Sequence, residues 1–216
     1  MSYVLWFSRC LLALVFLASA AGKLTGRHAF RAFADSLRTM DLLPARLVVP
    51  VAGAVVAAET AVPPLLLVPL LPVPPPGAAT ASAGSPVTGV GPALSTVGFA
   101  LAAALLLGFT VTVATVLRRG TSASCRCFGE ATTAPFGRHH LVRNVVLTVI
   151  AGTGGYAALV DPGATAGAAV VSVPLAVLGA LVVVRLDDLV ALFRPAVPSM
   201  GVARRGTTPR GGGPGG

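Results

Sequence analysis

Cys125-Arg126-Cys127-Phe128-Gly129 places two thiols one residue apart in a chain of 216 residues. Such a pair closes a disulfide only if the backbone turns, because the Cα–Cα distance must fall to about 4.4–6.8 Å. The resulting ring is strained, and strained, exposed disulfides are the ones that exchange. Arg126 stands between the thiols and Arg118 and Arg119 lie just upstream. Neighbouring cations favour the thiolate, which is the nucleophile. The pattern points to thiol–disulfide exchange, with a structural loop carrying two incidental thiols as the plainer alternative. His139-His140 follows in the same stretch, so Cys125, Cys127, His139 and His140 offer two thiolates and two imidazoles, a donor set suited to zinc or copper. Their spacing is not that of a structural zinc finger, and adjacent histidines on a helix point in different directions. Metal binding is therefore the weaker reading. Cys10 stands alone in an apolar run and reads as a small packed residue.

Glu59 is the second feature with chemical meaning, because it sits halfway along an apolar stretch. Carboxylates inside a membrane are paired, protonated or functional. Counting depth at about 1.5 Å per residue brings Glu59 level with Arg9 in a hydrocarbon core of about 30 Å. An Arg9–Glu59 pair joining the first two spans is the expectation. The alternative is a proton- or quinone-site carboxylate beside a kink at Pro63-Pro64. Arg143-Asn144 opens a later apolar run. There the guanidinium can reach the headgroups and the amide can bond across helices, a positioning role rather than a catalytic one.

The elements that must hold these residues are read from hydropathy. Apolar residues make up 55% of the chain and charged ones only 11%, with a mean hydropathy of +0.85. This excludes both an ordinary soluble domain and a solvated disordered chain. Five spans of bilayer length follow, at about 3–22, 47–71, 93–117, 141–159 and 166–184. A helix satisfies its own backbone in lipid, so the fold class is all-α, a polytopic membrane helical bundle within residues 1–193. The Pro/Gly/Ala-rich segment 72–92 is expected to be a loop, and the basic tail 194–216 to be disordered. Between the first two spans, Phe30, Phe33, Leu37 and Met40 recur at helical spacing opposite Arg27, Arg31, Asp35 and Arg38. That pattern predicts an amphipathic helix on the inner leaflet. Leu186–Phe193 reads as a shorter copy.

The basic residues decide orientation. Lys23, Arg27, Arg31, Arg38 and Arg46 follow span one; Arg118, Arg119, Arg126, Arg138 and Arg143 lie between spans three and four. Arg185, Arg194, Arg204, Arg205 and Arg210 follow span five, leaving Arg9 as the one remaining member of the 16 Lys and Arg. The positive-inside rule then places the N-terminus outside, the C-terminus in the cytoplasm and the whole chain in the plasma membrane. The net charge of +9 thus reports topology and lipid contact rather than a nucleic-acid partner. Arg9, Cys10–Leu17 and Ala18-Ser19-Ala20 also fit a signal peptide. Cleavage there would strand five basic residues outside, so an uncleaved helix is the expectation.

Ala21-Gly22-Lys23-Leu24, Leu42-Leu43-Pro44, Glu59, Cys125-Arg126-Cys127-Phe128-Gly129 and Arg143-Asn144 together resemble the methylamine utilisation protein MauE family over about residues 3–160. That family is related to DoxX-like proteins. The resemblance implies a four-helix DoxX-like core, to which the sequence adds a fifth transmembrane helix. It also implies an association with methylamine metabolism, aiding maturation of the disulfide-rich small subunit of methylamine dehydrogenase alongside a thioredoxin-like partner. Carried over, Cys125 and Cys127 become the redox pair, with Lys23, Glu59, Arg143 and Asn144 supporting the fold or site, and no cofactor is expected. The substrate would be an exported cysteine-rich protein. The charge rule, however, puts the Cys pair in the cytoplasm, which favours relay of reducing equivalents or partner docking. A non-enzymatic membrane scaffold or metal-handling protein is the alternative class.

Overall fold

The structure, a computed structural model, describes residues 1–41, 43–70, 90–119, 138–161 and 166–186. Six α-helices follow in order: α1 (Ser2–Leu24), α2 (Arg27–Thr39), α3 (Ala45–Leu67), α4 (Val90–Arg119), α5 (Arg138–Val160) and α6 (Ala166–Val184). A 3-10 turn, Val68–Leu70, extends α3. Five of them, all but α2, are long and apolar enough to cross a membrane. The fold is thus a polytopic helical bundle, with spans that match the hydropathy reading to within a few residues. One boundary moves: α4 begins at Val90, inside the segment expected to be a loop. The remainder of that segment, the Cys125–Cys127 stretch, most of Leu186–Phe193 and the basic tail lie outside the described residues.

Helices α1, α3, α4 and α5 close a ring in which each packs on the next, and α6 lies against α1 from outside it. Cross-contacts fix the directions. Arg9 of α1 bonds Ser95 early in α4, and Lys23 at the end of α1 lies beside Phe109 fourteen residues further along α4, so the two helices run parallel. Ser2 bonds Asp161 at the far end of α5, which therefore runs antiparallel to α1. Ser172 of α6 donates to the Tyr3 carbonyl and sets α6 parallel to α1. The termini of the spans therefore gather at two ends. Apart from Arg9, every basic residue described belongs to the end where α1 stops and where α3 and α5 begin.

α1 is the central helix, with 56% of its apolar window buried against 22–33% for the other four. Lipid tails are as apolar as leucine, so close packing and polar contacts, not exclusion of water, hold such a bundle together. Small residues permit the close approach. A Cβ on Gly154 of α5 would come within 2.5 Å of the Phe99 ring of α4 and 2.6 Å of Ser8 on α1, so three helices meet where only glycine fits. Leu5, Leu12, Phe16, Val62, Leu66, Phe99, Ala102, Leu106 and Leu147 fill the interior.

The short helix α2 has the amphipathic pattern expected of it and packs on α3. It ends where Asp41 takes a positive φ of 49°, which reverses the chain toward Pro44 and α3. Phe33 and Ala34 are buried against Val48, Ala52 and Val56 of α3, with Phe30 and Leu37 packed alongside. Of the apolar stripe, Phe33 and Met40 are thus buried, while Phe30 and Leu37 stay half-buried.

Candidate functional site

Ser19, Lys23 and Glu59 form a buried polar cluster where α1 ends beside the middle of α3. Ser19 and Lys23 are four residues apart on α1, hence on one face of the helix. Glu59 lies fourteen residues into α3. The Lys23 ammonium donates to Glu59 Oε1 at 3.0 Å, to Glu59 Oε2 at 2.8 Å and to Ser19 Oγ at 2.7 Å. The Ser19 hydroxyl in turn donates to Glu59 Oε2 at 3.3 Å. Lys23 is 1% and Glu59 0% exposed. Two aromatic rings face the ammonium, Phe33 of α2 with its centroid 5.0 Å away and Phe109 of α4 at 6.0 Å. α1, α2, α3 and α4 therefore converge on a single charge pair.

This arrangement corrects the Arg9–Glu59 pairing expected from depth counting. Glu59 pairs with Lys23, and the Arg9 Nη2 donates to Ser95 Oγ at 2.7 Å instead. The counting assumed that α1 and α3 reach the same two planes. Instead α1 stops level with Glu59, while α3 extends about 21 Å further, fourteen residues of helical rise. Arg9 lies another fourteen residues back along α1, so it sits about 21 Å from the level of the carboxylate. α2 occupies the flank of α3 that α1 leaves open.

A lysine and a glutamate buried together lose hydration that their attraction only partly returns, so the pair stabilises the fold less than it specifies it. What it specifies is axial register, because sliding α1 by one turn past α3 would strand both charges. A carboxylate and an ammonium that share two short hydrogen bonds, with a serine hydroxyl bonded to both, are suited to positioning. Pro63 and Pro64 lack the amide hydrogens that would otherwise bond the Glu59 and Thr60 carbonyls, which makes this part of α3 locally adaptable.

Lys23 and Glu59, both named from the sequence, are thus brought together. Ser19, Phe33 and Phe109 complete the cluster. The i, i+4 spacing of Ser19 and Lys23 was a usable signal, whereas nothing local in the sequence marks Phe109. Arg143 and Asn144 sit in the first two turns of α5, where Asn144 is buried and accepts from the Arg143 Nε at 3.4 Å. The His139 and His140 rings lie 4.1 Å apart, tilted by 39°. Among the described residues no group of three or more His, Cys, Asp and Glu is placed to hold a metal. Cys125 and Cys127 lie outside those residues, between the end of α4 and the start of α5. Cys10 is half-buried in α1 and carries a free thiol, packed against the main core.

Residues 1–157 match the family model of the methylamine utilisation protein MauE. No curated protein and no solved structure matches the chain.

Proposed function

The chain belongs to the MauE family and so is a multi-pass membrane protein associated with methylamine utilisation, and from that premise we propose that it is a redox accessory protein acting through Cys125 and Cys127. The observation that carries the reading is the C-x-C pair itself, with Arg126 between the thiols and basic helix ends on either side. In the exchange step a thiolate of one partner attacks the disulfide of the other. A mixed disulfide forms, the second thiol resolves it, and two electrons and two protons pass from the dithiol partner to the disulfide partner. The partner is a thioredoxin-like protein, and the beneficiary is methylamine dehydrogenase or another exported cysteine-rich protein.

The bundle supports this reading by its geometry. α4 and α5 pack side by side, so the segment joining them leaves and re-enters at one end, the end rich in Lys and Arg. The positive-inside rule places that end in the cytoplasm of a cell bounded by its plasma membrane. On that side the pair relays reducing equivalents or docks a partner rather than oxidising an exported substrate directly.

The reading is tested by alkylation with a bulky maleimide before and after reduction. The expected result is labelling of Cys125 and Cys127 only after reduction of the oxidised protein, with Cys10 as the internal control. Equal labelling in both states overturns the redox assignment. Sidedness is tested separately, with Ser122→Cys in a background lacking the three native cysteines. An impermeant reagent on intact cells is expected to leave it unlabelled, and strong labelling would move the pair outside and restore direct oxidation.

A further inference from the structure

Arg9 is the second buried cation of α1 and, unlike Lys23, it has no acid beside it. Its side chain is 4% exposed, and its one hydrogen bond among the described residues runs from Nη2 to Ser95 Oγ at 2.7 Å. Ser95 is neutral and already donates to the Gly91 carbonyl at 2.9 Å. The Arg9 Nε is buried with no hydrogen-bond partner among the described residues. A guanidinium carries five N–H donors and stays charged at any physiological pH.

Among the described residues no carboxylate answers this charge. The 7 acidic residues of the chain are Asp35, Asp41, Glu59, Glu130, Asp161, Asp187 and Asp188. Asp35 and Asp41 belong to α2 and its exit, at the opposite end of the bundle. Glu130 lies in the segment joining the opposite ends of α4 and α5, and Asp187 and Asp188 follow the opposite end of α6. Glu59 is held by Lys23. Asp161 shares the Arg9 end, yet it accepts from Ser2 at 2.9 Å beside the Met1 amine at 3.9 Å. The segment 71–89, between α3 and α4 in the sequence, contains no acidic residue.

We propose that Arg9, with Ser95, is a receptor for a phosphate oxygen supplied from outside the chain, carried by a lipid headgroup or free in solution. Three features point to phosphate. The guanidinium fork matches a phosphate or carboxylate bidentately. A helical arginine leans toward its own helix N-terminus, here the membrane face about 10 Å away by helical rise. Phosphodiesters are the abundant anion at that face. The Ser95 hydroxyl anchors one arm of the fork and leaves the Nε donor unanswered.

The test uses the full chain purified in a neutral detergent. Its Tm is followed against added phosphatidylglycerol, with phosphatidylcholine as control, and separately against inorganic phosphate, with chloride at equal ionic strength. Basic residues at the opposite end bind anionic lipid as well, so the decisive quantity is the difference from Arg9→Gln. In wild type, one of the two phosphate sources is expected to raise the Tm by several degrees. Arg9→Gln is expected to lose at least half of that shift and, if the source is lipid, one tightly bound phospholipid in native mass spectrometry. A shift with phosphatidylglycerol alone identifies a headgroup, and a shift with both identifies the free anion as sufficient. An undiminished shift and unchanged lipid count in Arg9→Gln overturn the proposal, as does a wild-type Tm indifferent to both sources. If Arg9→Gln does not fold, Arg9→Lys serves the same comparison, since it keeps the charge and loses the fork.

Discussion

Two cations of α1, fourteen residues apart on its buried face, are treated in opposite ways by the rest of the bundle. Lys23 meets a carboxylate, a hydroxyl and two aromatic rings contributed by four helices. Arg9 meets one serine. The difference is one of supply. The end of α1 adjoins the part of α3 that carries the only acid within a span, whereas Thr60 to Leu117 holds no charged residue to place near Arg9. A charge neutralised by described neighbours acts as a structural pin, and a buried charge with an unanswered donor points to a partner beyond the described residues.

The largest expected effect is at the pin. Glu59→Gln keeps the shape of the side chain and leaves the ammonium buried without its counter-charge. Breaking a buried pair from one side costs about 3–5 kcal/mol. The Tm and yield of the purified protein should fall accordingly, while Lys23→Met combined with Glu59→Leu should recover most of the loss. A single-variant cost below about 1 kcal/mol would mean that Lys23 finds water or another acid, and the contrast with Arg9 would collapse.

How much of this contrast was legible beforehand differs between the two cations. The five spans, α2 and the segregation of basic residues follow from hydropathy and spacing, because lipid imposes the same length and sidedness on every helix. The family resemblance, carried by Ala21-Gly22-Lys23-Leu24 and Glu59 among others, named both members of the ion pair. Their pairing with each other was not legible, since periodicity gives the face of a helix and not its axial offset from a neighbour. Depth counting supplied that offset with an assumption of equal ends, and α1 stopping level with Glu59 broke it. The packing of α2 on α3 was not legible for a related reason. Phe33 marks an apolar stripe, but a stripe does not say whether lipid or the flank of α3 will cover it.

The serines give a middle-sized test of the same contrast. Ser95→Ala removes the one hydrogen bond Arg9 makes among the described residues, and a bond to a charged group is worth about 1.5–3 kcal/mol. Ser19→Ala removes a hydroxyl bonded to both Lys23 and Glu59, but the two direct Lys23–Glu59 contacts persist and keep each charge compensated, so a cost at the low end of that range, about 1.5 kcal/mol, is expected. Thermal melts of the two variants should therefore rank Ser95→Ala as the more damaging. Added phosphatidylglycerol should narrow the gap, because an anion on Arg9 would take over part of the role of Ser95. The reverse ranking would show that Arg9 is satisfied elsewhere.

The smallest effect is expected at an ion pair of good geometry but no burial. Arg38 Nη1 donates to Asp35 Oδ1 at 2.6 Å across one turn of α2, shorter than either contact of Lys23 with Glu59. Both side chains are about half exposed, at 49% and 62%. Water already satisfies each charge there, and holding two mobile side chains together costs entropy, so such pairs contribute about 0–1 kcal/mol. Arg38→Ala should leave the Tm nearly unchanged, and raising the salt concentration should erase any difference. Glu59→Gln should keep its deficit in the same high salt, because ions do not penetrate to a pair that is 1% and 0% exposed. Distance alone would rank the two pairs the other way, so this comparison separates burial from bond length as the source of the effect. A salt-sensitive deficit in Glu59→Gln would place Lys23 in contact with bulk water and remove the reason for treating it as a pin.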